Sequence, residues 1–417
     1  MKTSLPVQLL YIFGASFLAE VEGCICDDKS LCAPLLSNGD RPEFFGFSLL
    51  EQNWRHYNFS TLTTVAWNTD PQLVCLAHAH KTRVVINAAG APVNGTAAQR
   101  KAWVDKQVAF AQQNFLDGIN FDFEGAVRGP GQLDPLNERY VALLEETTTA
   151  FHSRVGPGTM VSVDVAWSPN NIDGRAFPYL QMANATDLLF VMSYDTRSQI
   201  YHQSLAAANT PIQIAALGLR DYLALGVPPE KLVMGFPWYG YNYTCNQVST
   251  WPHSSTLHIN HRLEFKQTLK HPPKIHSKHE YTHTYQGPNA ISPASAWRKE
   301  SKLCPIACVP FRGAPCSDAA GGELNFAIIQ RVLRGQHPGY VVVAGTENFF
   351  DPVMQTPFFN YERADGQGST YQMWYDNPTS MRAKVAAMRD VVRKFPGLSA
   401  RRLAGENWDG QLFIFVR

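Results

Sequence analysis

Asn120, Asp122 and Glu124 alternate with Ile119, Phe121 and Phe123 in the run from Leu116 to Glu124. Side chains of a strand point to its two faces in turn, so this spacing puts an amide and two carboxyls on one face and three apolar groups on the other. The apolar face packs, and the polar face is left for chemistry. Carboxyls two residues apart suit general acid–base work, because the charge of one raises the proton affinity of its neighbour. A solvated edge strand is the competing reading. It is disfavoured because the run carries no Lys, Arg or Pro to blunt an edge and phenylalanines fill the alternate positions.

The elements that must position this face recur along the chain. Short β-rich runs at 44–49, 62–67, 83–88, 116–124, 160–166, 188–194 and 232–238 read as parallel strands. Between them Trp103, Val104, Val108, Ala111 and Phe115 recur at helical spacing, as do Tyr140, Leu143, Leu144 and Phe151. Strands alternating with helices predict an α/β fold with a parallel sheet. The pattern alone allows a doubly wound sheet or a closed barrel; polar groups at the carboxyl end of a strand match the place where barrel enzymes hold catalytic residues.

A chain of 417 residues, 45% hydrophobic and 17% charged, can bury one large core. Its net charge of +1 gives no electrostatic case for a nucleic acid or an anionic membrane, so a neutral partner is expected. Lys2, the apolar stretch from Leu5 to Leu18 and the small residues Gly14, Ala15, Ser16 and Ala19 predict a signal peptide over 1–23. The product is expected to enter the secretory route in soluble form, with no membrane span and as a monomer. Eight cysteines agree with an oxidising compartment and with disulfides that tie down the N-terminus and one long loop, in a connectivity that spacing leaves open. Asn58, Asn94, Asn184 and Asn242 head glycosylation sequons, whereas Asn377 is excluded by Pro378.

Leu116-Asp117-Gly118-Ile119-Asn120-Phe121-Asp122-Phe123-Glu124 resembles the Asp-Gly-x-Asp-x-Asp-x-Glu signature of glycoside hydrolase family 18. Phe190 to Asp195 is similar to the family's Met-x-Tyr-Asp strand, and Leu232 to Gly240 to its Gly-x-Pro-x-Tyr-Gly strand, in family order. The Asn120 variant, with Asp164 to Pro169 and Phe311 to Cys316, resembles the chitobiase branch. The resemblance implies a (β/α)8 barrel and a glycosidase acting on the β-1,4 bond of N-acetylglucosamine oligosaccharides. It further implies breakdown of N-linked glycans, a lysosomal location and no cofactor.

By motif position Glu124 is the acid that protonates the departing oxygen, and Asp122 accepts the substrate's acetamido N–H in a substrate-assisted retaining mechanism. Tyr194 orients the acetamido carbonyl. Asn120 stands where most of the family has aspartate, and its amide is expected to donate a neutral hydrogen bond to Asp122 and keep it ionised. Asp195, Trp167, Trp238, Tyr239 and Trp374 are the expected sugar contacts; Asp117 is expected to fix the strand entrance. His276, His279 and His283 with Cys304 and Cys308 outline a zinc site on paper, but oxidised cysteines bind no metal and none is expected.

The remainder departs from the family. Residues 24–245 read as the first part of the barrel, 246–303 as an irregular polar insertion expected to be disordered, and 304–392 as the rest of the barrel. In the tail, 393–417, no eighth strand of the family's Gly-apolar-apolar-Trp form is visible; 412–416 has strand character and Trp408 precedes it, in the reverse order. Rival readings are a chitinase-like lectin, which Glu124 argues against, an inactive isoform and an endo-chitinase.

Overall fold

The computed structural model describes residues 23–37, 41–49, 53–127, 134–196, 205–245, 299–307, 309, 320–395 and 412–415. The expected signal peptide up to residue 22, the insertion over 246–298, the three histidines within it, Cys308, Arg312, Cys316 and Trp408 lie outside them. The chain divides into two compact units, one made of 1–193, 215–236 and 385–417, the other of 194–214 and 237–384.

All seven expected strands form: β1 (Phe45–Phe47), β2 (Thr64–Ala66), β3 (Arg83–Asn87), β4 (Gly118–Phe121), β5 (Met160–Ala166), β6 (Leu188–Met192) and β7 (Leu232–Pro237). Each is paired in parallel with the next. Every residue of β5 is buried, the signature of a parallel strand covered on both faces. Helices α1 (Pro71–Ala79), α2 (Ala97–Gln113), α3 (Pro135–Ala150), α4 (Tyr179–Ala185) and α5 (Ile212–Ala224) connect them. Their starts are written in the sequence. Asp70 and Asp134 cap α1 and α3 ahead of a proline, and Thr96 with Gln99 closes a capping box on α2.

The second unit differs from the expected remainder of a barrel over 304–392. Strands β8 (Tyr239–Thr244), β9 (Gly322–Asn325), β10 (Tyr340–Val342), β11 (Phe349–Asp351), β12 (Thr356–Arg363) and β13 (Tyr371–Trp374) form one antiparallel sheet, in the order β10-β12-β13-β8-β9 with β11 on β12. Helix α6 (Phe326–Leu333) contributes Ile329 and Val332 to a core with Phe359, Tyr361, Met373 and Tyr375. Aromatic residues of β8 pair with those of β13, a strand far away in sequence, which no local periodicity reveals.

Helix α7 (Pro378–Lys394) forms over the expected helical stretch, and β14 (Leu412–Phe415) takes the eighth place in the parallel sheet, after β7. It also lies against β1, so the strand order turns back on its start as a (β/α)8 barrel requires. The eighth strand is therefore present, later in the chain than the family's motif. Among the described residues no helix is long and apolar enough to cross a membrane.

Candidate active site

The site is built upward from the entrance to β4. Asp117 is fully buried and accepts hydrogen bonds from the backbone N–H of Leu35 and of Val84, each at 2.7 Å, and from His78 Nε2 at 2.9 Å. The other ring nitrogen of His78 faces the Leu31 carbonyl at 2.6 Å. Two oxygen acceptors call for a donor on each nitrogen, which the imidazolium form of His78 supplies. Burial pulls its pKa down, but the hydrogen bond and charge of Asp117 and the Leu31 carbonyl outweigh it, and the net shift is upward. The disulfides Cys24–Cys32 and Cys26–Cys75 hold the same N-terminal segment. Gly118 follows because the Cβ of any other residue there would lie 1.9 Å from the Met160 carbonyl oxygen, at a φ of +153°.

Two residues on, Asn120 is buried and its orientation is set by Trp67. Indole Nε1 can only donate, and it reaches Asn120 Oδ1 at 2.8 Å. The amide nitrogen therefore points the other way, donating to Ser162 Oγ at 3.0 Å and to Asp164 Oδ1 at 2.9 Å on β5. Both amide hydrogens are committed, so the expected bond from Asn120 to Asp122 does not form. Trp67 holds this contact at a φ of +77°, a conformation uncommon outside glycine, directly after β2.

The strand ends at Phe121, earlier than expected, and Asp122 and Glu124 lie in irregular chain beyond it with their side chains open to solvent. Enough protein surrounds the Asp122 carboxyl that desolvation, followed by the Glu124 charge, pushes its pKa up to about 6 against the pull of Arg175. Glu124 accepts from Arg175 Nη1 at 2.5 Å, and Arg175 Nη2 donates to Asp173 at 2.9 Å. Arg175 is buried while the Glu124 side chain is 45% exposed, so the guanidinium is the fixed partner of the pair. It stands at the end of a loop in which Asn171, Asp173 and Gly174 all adopt positive φ. Trp167, expected to stack on sugar, is 4% exposed, with its carbonyl 1.9 Å from the point where a Cβ on Gly218 would sit; it is packed as core.

In the second unit Tyr194 is half-buried and Asp195 is exposed at a φ of +52°. Tyr239 is 3% exposed and donates through its hydroxyl to Asp195 Oδ1 at 2.8 Å; burial, then the Asp195 charge, drives its pKa well above the usual phenol value. Asn209 accepts from the Asp195 backbone N–H at 2.5 Å. Tyr239 thus fixes Asp195 and offers no free ring face. Trp238 is half-buried against Phe326, 4.5 Å between centroids. Trp374 is 3% exposed, stacked at 4.1 Å on Phe358, with Nε1 held by Gln372; the expected sugar platform is a core residue.

Sequence reasoning did not single out Arg175, Asp164, His78 or Trp67 for these roles. Asp164 carried a signal, being the one charged residue inside the fully buried strand β5. Of the sequon asparagines, Asn58, Asn94 and Asn184 are exposed, whereas Asn242 is half-buried on β8 with its amide oxygen enclosed, a poor place for a glycan. Cys304 is bridged to Cys245, which removes it from any zinc site.

Three comparisons bear on this geometry. Residues 78–392 match the family description "Glycosyl hydrolases family 18". Di-N-acetylchitobiase of Rattus norvegicus is 35% identical over 92% of this chain and 88% of its own, and that of Homo sapiens 34% identical over 89% and 81%. Among solved structures, a family 18 chitinase of Cycas revoluta in complex with allosamidin superposes with a TM-score of 0.56 at 17% identity, covering 89% of this chain and 94% of that one, a likeness of fold. The chain therefore belongs to glycosyl hydrolases family 18 and is a chitobiase-like glycosidase.

Proposed function

We propose that the chain hydrolyses the β-1,4 bond of chitobiose-containing N-acetylglucosamine oligosaccharides, in the breakdown of N-linked glycans, within the secretory route and its lysosomal branch. The observation that carries this reading is the pair Asp122 and Glu124, open to solvent beyond β4, with Asp122 poised at a pKa of about 6. Glu124 gives its proton to the glycosidic oxygen as the bond from that oxygen to the anomeric carbon breaks. The acetamido oxygen of the same sugar bonds to the anomeric carbon, and Asp122 accepts the acetamido N–H of the cyclic cation. Water then loses a proton to Glu124, attacks the anomeric carbon and reopens the ring with retained configuration. For the proton to leave Glu124 towards substrate, the side chain has to turn from Arg175. The motif assigns Tyr194 to the acetamido carbonyl.

The test is hydrolysis of di-N-acetylchitobiose, followed from acidic to neutral pH, by the secreted chain beside Glu124→Gln. Turnover that the variant loses supports the proposal; a folded chain that binds the sugar without turnover points to a lectin. Product lengths from a longer oligomer separate this activity from an endo-chitinase.

A further inference from the structure

Asp164 is a buried carboxyl that the mechanism above does not use. It is 5% exposed, and among the described residues its hydrogen-bond donor is Asn120, with no Lys, Arg or His paired to it. Leaving a carboxylate at such a place without a cation is expensive, so burial favours the protonated acid. The β4–β5 pairing ends at Phe121 and Val163, one residue short of Asp122 and Asp164, and the Asp122 charge acts on Asp164. Asn120 lies opposite Ser162 in the β4–β5 pairing, and two residues on along each chain stand Asp122 and Asp164. Asn120 donates to both Ser162 and Asp164, which puts the Asp164 side chain on the face shared by Asn120. One oxygen of Asp164 takes the Asn120 hydrogen, which leaves the other free to carry a proton.

We propose that Asp164 is a positioning residue for the glycosidase reaction: a neutral carboxylic acid, fixed by Asn120, that donates its O–H towards Asp122 and favours the Asp122 carboxylate that the acetamido group needs. This deepens the reading of Asp122 given above and rests on it. The acid moves to β5 the task expected of Asn120. The charged and titratable groups around Asp164 are Asp122 and Glu124 beyond β4 and the Tyr140 phenol on α3, with Arg175 acting on the first two; on β6, Phe190 lies opposite it. Burial, then the Asp122 charge, drives Asp164 well above the usual carboxylate range, in agreement with the geometry.

The experiment is a pH titration by NMR of the full chain labelled at the aspartate carboxyl carbons, with Asp122 and Asp164 assigned by Asp122→Asn and Asp164→Asn. The expected result is one carboxyl that stays protonated through neutral pH and vanishes in Asp164→Asn. The Asp122 titration should stay near its wild-type value in Asp164→Asn, whose amide still donates. In Asp164→Leu it should move up by about one unit or more, as the donor to the anion is lost. A wild-type Asp164 signal that is ionised at neutral pH, or an Asp122 titration that Asp164→Leu leaves in place, overturns the proposal. Because the titration needs no turnover, its failure is distinct from failure of chitobiose hydrolysis, which is read separately.

Discussion

Replacing His78 by leucine tests the clasp beneath β4 and predicts how stability varies with pH. His78 is buried between two oxygen acceptors, Leu31 O at 2.6 Å and Asp117 Oδ2 at 2.9 Å, so its charged form is bound and its pKa is raised in the folded chain. A raised folded pKa contributes stability that is fully present below the ordinary value of 6.5 and is lost as pH rises through the folded value. Melting temperature of the wild type should therefore fall as pH rises above 6.5 and through the raised folded value. His78→Leu leaves the fully buried Asp117 with two backbone donors but no cation, at a cost of about 3–5 kcal/mol. Asp117→Ala belongs at the upper end of that range, because it also strips the acceptor from the Leu35 and Val84 N–H groups, each worth about 1–3 kcal/mol. The assay is thermal melting across pH, with limited proteolysis of the 24–35 segment as a local readout. If His78→Leu melts with the wild-type dependence on pH, His78 is not the titrating group and the reasoning fails.

Other perturbations follow from the same contacts. Arg175→Met removes the one charge that pulls the Asp122 pKa down, so Asp122 should titrate above about 6 and the acid limb of the pH–rate profile for chitobiose should move to higher pH; an unmoved limb would count against the ionised form of Asp122 as the working one. Asn120→Asp leaves Ser162 and Asp164 without a donor and should cost about 1–3 kcal/mol of melting stability, whereas a variant as stable as wild type would contradict the assigned orientation of the amide. Gly118→Ala drives a Cβ into the Met160 carbonyl and should abolish secretion of folded chain, while Gly322→Ala on β9, with nothing within 4 Å, should be secreted normally.

What could be read from the sequence, and what could not, divides along the range of the interactions. The seven parallel strands announce themselves because they are mostly buried, β5 throughout, and short apolar-rich runs bounded by turns need no knowledge of their neighbours. The alternation through Glu124 is equally local, and the face it predicts is real up to Phe121. Beyond that the chain leaves the strand, so the relation between Asp122 and Glu124 is set by Arg175, delivered from a loop whose three positive φ values no periodicity foretells. The antiparallel sheet was missed for a related reason. Tyr239–Thr244 finds its partner in Tyr371–Trp374, across a long polar stretch, and aromatic residues that look like sugar platforms in sequence become its core, as Trp374 does against Phe358. Asn120 shows the limit most plainly. Its residue type marks an uncharged hydrogen-bonding group, but a side-chain amide has two hydrogens and one oxygen, and only the positions of Trp67, Ser162 and Asp164 decide where they go. Once those three are placed, the donor expected for Asp122 cannot be Asn120, and the buried acid on the next strand becomes the group to test.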